Sequence, residues 1–156
     1  MEQLMTFAHD GLRDSLTHLA APPYFYENLR RELATAKRNK SRLTLIRFQL
    51  VSPELKQKSL EESESLYEVA ILSFAEFLKG VTRAEDLCAR LGQCEFTLIL
   101  KAPQEVGDAL SRRVLEGWKM DSFSCKSALV RANPEESALE ILNRLDNQEL
   151  RGISLR

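Results

Sequence analysis

Several things are missing from this chain. No apolar run approaches the roughly 20 residues that a membrane-spanning helix needs. Cysteine is scarce: Cys88, Cys94 and Cys125 form no CxxC pair and no even set. That argues against a disulfide framework and points to reduced thiols in a cytosolic protein. Histidine is scarcer still. His9 and His18 lie near the N-terminus with no cysteine close in sequence, so a zinc site has no support. No sign of charge dominates. The 22 Lys and Arg residues against 23 Asp and Glu leave a formal charge of −1. This excludes general attraction to nucleic acid or to an acidic membrane surface. Met1-Glu2-Gln3-Leu4 lacks a basic region followed by an apolar one, which argues against a signal peptide. There is no internal repeat and no low-complexity tract.

What is present suits one soluble domain. The length of 156 residues allows a real core, with 44% apolar and 29% charged residues. Leu4, Met5, Ala8 and Leu12 make a helical stripe over Met1–Leu12, read as a packing helix or a connector. A second helix is predicted from Pro23 through Phe25, Leu29, Leu33 and Ala36, ending in the basic cluster Lys37–Lys40. Arg42 to Val51 reads as a strand. Glu61 to Lys79 reads as a helix, with Leu66, Val69, Ala70, Phe74, Phe77 and Leu78 toward the core and Gly80 as its C-cap.

Thr82 to Leu100 reads as a β-hairpin. Gly92-Gln93 would form a type II′ turn, and Phe96–Leu100 would be a strand buried on both faces. Gln104 to Met120 is predicted as a helix with Val106, Leu110, Val114, Leu115 and Trp118 on its apolar face. Trp118 is read as a core anchor. A strand over Ser122–Val130 follows. A last helix starts in Pro134–Ser137 and carries Ala138, Ile141, Leu142 and Leu145.

Three strings within this frame are more specific. Arg83-x-x-Asp86, then five residues, then Gly92-Gln93-Cys94-Glu95-Phe96 resembles the signature hairpin of GGDEF domains, the diguanylate cyclase family. Asp14-Ser15-Leu16-Thr17-His18-Leu19 resembles that family's opening motif, Asp-x-Leu-Thr-x-Leu. Arg144-Leu145-Asp146 resembles its Arg-Ala-Asp. With the strand at Arg42–Val51 these anchors stand in the family's order. The resemblance covers about residues 14–153. It implies a connector over residues 1–13 and a degenerate GGDEF domain over 14–156. The implied fold class is α/β (α+β), a mainly antiparallel central sheet flanked by helices.

The departures from the family fall on catalytic positions. Active members join two GTP molecules into cyclic di-GMP using two hard divalent ions, which need charged oxygen ligands. The resemblance places those ligands at Gln49 and Cys94, an amide and a soft thiol. The strand's second acid falls at Val51. Gln93 replaces the glycine that lets phosphate approach the backbone. Glu95 alone cannot hold two metals. From Arg42 to Lys79 there is no Asp, Asn or Gly, so no shift of alignment restores the metal aspartate or the guanine-reading asparagine. Glu68 is the one candidate to stand in for the family's second guanine-contacting acid, but it is read as a solvated helix position. Ala20-Ala21-Pro22-Pro23-Tyr24 stands where the family continues with Asn-Arg-Arg, and Ile153 falls where a phosphate-binding lysine is expected.

A non-catalytic signalling module with no cofactor and no metal is therefore expected. Arg83 and Asp86 match the family's inhibitory-site motif, which implies cyclic di-GMP as a ligand. Arg90, Arg112 or a second protomer in a homodimer would complete that site. The bland reading makes Asp86 a turn cap and Arg83 its surface partner. The alternative function is a protein-interaction or dimerisation scaffold that binds no nucleotide. Of two readings for Cys94, a redox-sensitive thiol at an exposed hairpin tip and a drifted position, the second is preferred, since no basic neighbour is visible in the sequence that would lower its pKa.

Overall fold

The computed structural model describes residues 7–52 and 59–153. The elements run α1 (Pro22–Asn39), β1 (Thr44–Val51), α2 (Leu60–Val81), β2 (Leu87–Gly92), β3 (Glu95–Leu100), α3 (Gln104–Gly117), β4 (Ser124–Arg131) and α4 (Ala138–Asn147). The four strands form one antiparallel sheet in the order β2-β3-β1-β4. This is the expected helix-flanked α+β arrangement.

Strand β1 is central and is covered on both faces. Its alternation divides the core. Ile46, Phe48 and Leu50 point toward a cluster that includes Phe74, Phe96, Leu98, Val114 and Trp118, under α2 and α3. Leu45 points the other way, to Phe25, Leu29, Ile99, Val130, Ile141 and Leu145, under α1 and α4. Burial on both sides explains why β1 and β3 read as nearly continuous apolar runs. Phe74 is fully buried and meets the rings of Phe48, Phe96 and Trp118 at 5.6, 4.9 and 5.1 Å. Truncating such a residue costs about 3–5 kcal/mol.

Local chemistry sets the helix ends. Pro22 and Pro23 occupy the first turn of α1, where a missing N–H costs nothing. Lys40 closes α1 in the left-handed region at φ 54°, its N–H donating to Ala36 O. Ser59 with Glu62, and Ser137 with Glu140, form reciprocal capping boxes at the starts of α2 and α4. Helix α3 lies close on the sheet because it presents small residues. A Cβ on Gly107 would come within 2.8 Å of the Thr44 methyl and 2.9 Å of Leu129. One turn on, the Ser111 and Ser127 hydroxyls meet at 2.6 Å.

Five sequence expectations need correction. Gly80 does not cap α2. The helix continues to Val81 and ends at Thr82, whose N–H and hydroxyl both donate to Leu78 O. Leu66 and Val69 face outward at 38% and 52% exposure, because the inward stripe is Ala70, Ile71, Phe74, Ala75 and Leu78. Val106 is likewise exposed, since Gly107, Ser111 and Val114 are the residues of α3 that meet the sheet.

The expected N-terminal helix is not present over residues 7–12. These form a turn in which Asp10 Oδ1 accepts the Leu12 and Arg13 amides, and Leu4 and Met5 lie outside the described residues. The last correction is the hairpin turn. Gly92 pairs with Glu95, so Gln93-Cys94 is the two-residue loop. None of Gly92, Gln93 and Cys94 has positive φ, which rules out type II′. A register shift between Arg90 and Gly92 accommodates the turn.

Candidate functional site

The hairpin tip is held by a buried ion pair. Arg90 and Asp14 are both 0% exposed, and Arg90 Nη1 lies 3.0 and 3.2 Å from the two Asp14 carboxylate oxygens. Asp14 Oδ2 also accepts the Thr17 N–H and hydroxyl at 2.8 and 2.7 Å, and Thr17 Oγ1 accepts the Leu19 N–H. The opening motif is thus a polar turn wound around one carboxylate. Arg90 further donates to Gln93 O at the tip, and its guanidinium sits 4.8 Å from the Phe7 ring centre. Arg90 is therefore committed to the opening loop and is not placed to complete a site at Arg83.

The positions that the resemblance equates with catalysis lie beside this tip. Gln49 of β1 pairs in register with Glu95 of β3, which puts both on one face. Arg47 shares that face. Its Nε donates to Glu95 Oε2 at 3.1 Å and its Nη2 to Gln49 Oε1 at 3.2 Å. Arg47 and Glu95 are 17% and 29% exposed, so the pair is partly shielded from water. The sequence reading did not single out Arg47, although it stands two residues before Gln49 on the same strand face.

Cys94 sits half-buried in the turn, packed against the α2/α3-side core, and its carbonyl accepts the Leu50 N–H. Burial pushes its thiol up to about 11, although Arg90 lies near enough to oppose that. A basic neighbour does exist, contrary to the sequence reading, but desolvation outweighs it. Among the described residues no group of three or more His, Cys, Asp or Glu could hold a metal.

The Arg83–Asp86 loop leads from α2 into β2. Asp86 has a side chain only 3% exposed. Its two oxygens accept the backbone N–H groups of Arg83 and Lys101, each at 3.3 Å. Arg83 is 57% exposed, with its guanidinium 3.7 Å from both Glu85 and Asp86 carboxylate oxygens. The two motif residues are adjacent but differ in kind: Asp86 shapes the loop, while Arg83 projects from it with loose ties.

Other expected positions stand apart. Glu68, Arg112 and Ile153 are exposed on the surface. Arg144 closes the β4–α4 loop, donating to both Glu136 oxygens and to Arg131 O. The Arg144 hydrogen bonds hold the Glu136 carboxyl below its ordinary range.

The sequence profile described as "Diguanylate cyclase, GGDEF domain" matches residues 11–138. The chain belongs to the GGDEF family. No curated protein matches the sequence, but solved structures do. The GGDEF domain of DgcB from Caulobacter crescentus, in complex with c-di-GMP, superposes with a TM-score of 0.72 at 21% identity, covering 91% of this chain and 87% of that one. The GGDEF domain of FimX from Pseudomonas aeruginosa gives 0.75 at 17% identity, covering 87% and 90%. Diguanylate cyclase SiaD from Pseudomonas aeruginosa, in complex with its activator SiaC, gives 0.73 at 24% identity, covering 87% of this chain and 55% of that one. These likenesses show the GGDEF fold. Among the described residues no helix is long and apolar enough to cross a membrane.

Proposed function

We propose that this GGDEF domain is a non-catalytic, cytosolic signalling module that binds cyclic di-GMP through Arg83, with Asp86 shaping the loop that presents it. The observation that carries the loss of catalysis is Arg47. At the positions where the family holds divalent ions, this chain offers an amide (Gln49), a thiol with a raised pKa (Cys94) and a carboxylate (Glu95) already paired with a guanidinium. This donor set does not fit two hard dications. A metal at Glu95 would also meet the Arg47 charge, a repulsion of about 4 kcal/mol per unit charge at 4 Å and an effective dielectric of 20. Gln93 adds a side chain where phosphate would approach the backbone.

Support for the ligand is chemical. An exposed guanidinium can donate two parallel hydrogen bonds to the O6/N7 edge of guanine, and it opposes phosphate charge. The related DgcB domain is in complex with c-di-GMP. Calorimetric titration with cyclic di-GMP should give binding near micromolar, about −8 kcal/mol, that Arg83→Ala abolishes without unfolding the domain. Incubation with GTP and Mn²⁺ should give no cyclic di-GMP. Metal-dependent product would overturn the non-catalytic reading.

A nucleotide-independent scaffold is the second reading. It is favoured by Asp86, whose oxygens both already serve backbone amides. SiaD, in complex with its activator SiaC, is a family member held by a protein. No heat with either protein would leave this reading standing.

A further inference from the structure

We infer that a second copy of this chain docks the acidic, apolar ridge of α2 into a basic groove on the opposite face of the sheet, so that the domain self-associates head to tail. The groove lies between the C-terminal half of α1, the start of β1 and the β4–α4 loop, with a volume of about 1020 Å³. Its apolar lining includes Leu33, Ala132 and Leu139, and Leu139 is 73% exposed. Lys40, Arg42 and Arg131 line it as well, and no carboxylate among the described residues lies within ion-pair distance of any of them. The groove's own acids are spent: Lys37 pairs with Glu135 at 2.6 Å, and Arg144 with Glu136.

The complementary surface is on the same chain. Leu66, Val69 and Leu72 recur every three residues along α2 and are 38%, 52% and 38% exposed. Residues 60–72 carry four carboxylates and no basic side chain. Of these, Glu61, Glu64 and Glu68 make no ion pair within the described residues. The unneutralised cations of the groove and the unneutralised anions of the ridge thus lie on opposite faces of the sheet, each beside exposed leucine. Apolar contact would supply affinity and the charges would fix the orientation. Because the two patches are different surfaces, the interface is heterologous and propagates instead of closing as a two-fold dimer. This surface is separate from the Arg83 loop, and its test does not depend on nucleotide binding.

Sedimentation velocity should show a weight-average mass that climbs with concentration and falls between about 20 mM and about 300 mM salt, as screening shortens the reach of the charges. Two variants test the surfaces: Arg42→Glu with Arg131→Glu in the groove, and Glu64→Arg with Glu68→Arg on the ridge. Arg42, Arg131 and Glu68 are exposed and Glu64 is half-buried, and circular dichroism checks the fold of both variants. Each alone should raise the apparent dissociation constant at least about tenfold. Mixed together they should associate again, since each then offers the other a complementary pair. A wild-type protein that stays monomeric up to high micromolar concentration overturns the proposal. So does a variant that associates like wild type, or a mixture that stays apart. Association lost only with the ridge variant would also overturn it, and would assign α2 to a different partner.

Discussion

The Asp14–Arg90 pair should dominate the stability of the hairpin tip. Both side chains are fully buried, and the carboxylate accepts from Arg90, from the Thr17 amide and from the Thr17 hydroxyl. Asp14→Ala takes the carboxylate away from the buried Arg90 charge, and it orphans the Thr17 amide. Breaking one side of a buried pair costs about 3–5 kcal/mol, against a total of about 5–15 kcal/mol for a domain. With a urea dependence of about 2 kcal/mol/M, the midpoint should fall by about 1.5–2.5 M.

The decisive comparison is the double variant Asp14→Leu/Arg90→Met, which removes both charges. It should be more stable than either single variant, giving a coupling of at least about 1 kcal/mol. Glu27→Ala serves as control. Its partner Arg30 is 68% exposed, so the cost should stay within about 1 kcal/mol. Equilibrium urea unfolding, followed by circular dichroism, measures the wild type, Asp14→Ala, the two single variants Asp14→Leu and Arg90→Met, their double variant and Glu27→Ala. A loss below about 1 kcal/mol for Asp14→Ala, or strict additivity in the cycle, would refute the claim that this pair locks the tip.

Two further outcomes follow from the packing and the thiols. Gly107→Val should destabilise the domain by about 1–3 kcal/mol, because α3 must lift from Thr44 and Leu129; an unchanged thermal midpoint would contradict that close approach. The thiols of Cys88 and Cys94 are pushed up to about 11, and that of Cys125 to about 12, mainly by burial. Their folded values lie above the unfolded value of about 8.5, so their contribution to stability is complete below that pH and is lost as pH rises toward 11–12. Unfolding free energy measured from pH 7 to pH 10 should therefore decline, and Cys94→Ser should flatten part of the slope; rapid labelling of Cys94 at neutral pH would refute the assignment.

Most of the architecture was legible from periodicity alone. Apolar runs of strand length, helical stripes and cap residues located all four strands and the helices α1 to α4, because burial dictates residue type along each element. The errors came where helix faces are chosen by neighbours. On α2, Leu66 and Val69 are as apolar as Ile71, and only the position of the sheet decides which turn inward. On α3, the close approach selected Gly107 and Ser111 over Val106, an inversion that no count of apolar residues reveals.

The same division holds at the site. Residue types alone carried the resemblance to the GGDEF hairpin and put an amide (Gln49, on β1), Gln93 and Cys94 at the positions that the resemblance equates with the site, because a side chain's charge and ligand character do not depend on folding. Which charges meet was decided by tertiary structure. Asp14 and Arg90 are 76 residues apart, as Arg47 and Glu95 are 48 apart, and only strand register and loop closure bring them within hydrogen-bond reach. The sequence placed Arg83 and Asp86 three residues apart. The fold gave Asp86 to the backbone and left Arg83 to solvent, because the carboxylate accepts one amide in the turn between α2 and β2, that of Arg83, and one just past β3, that of Lys101.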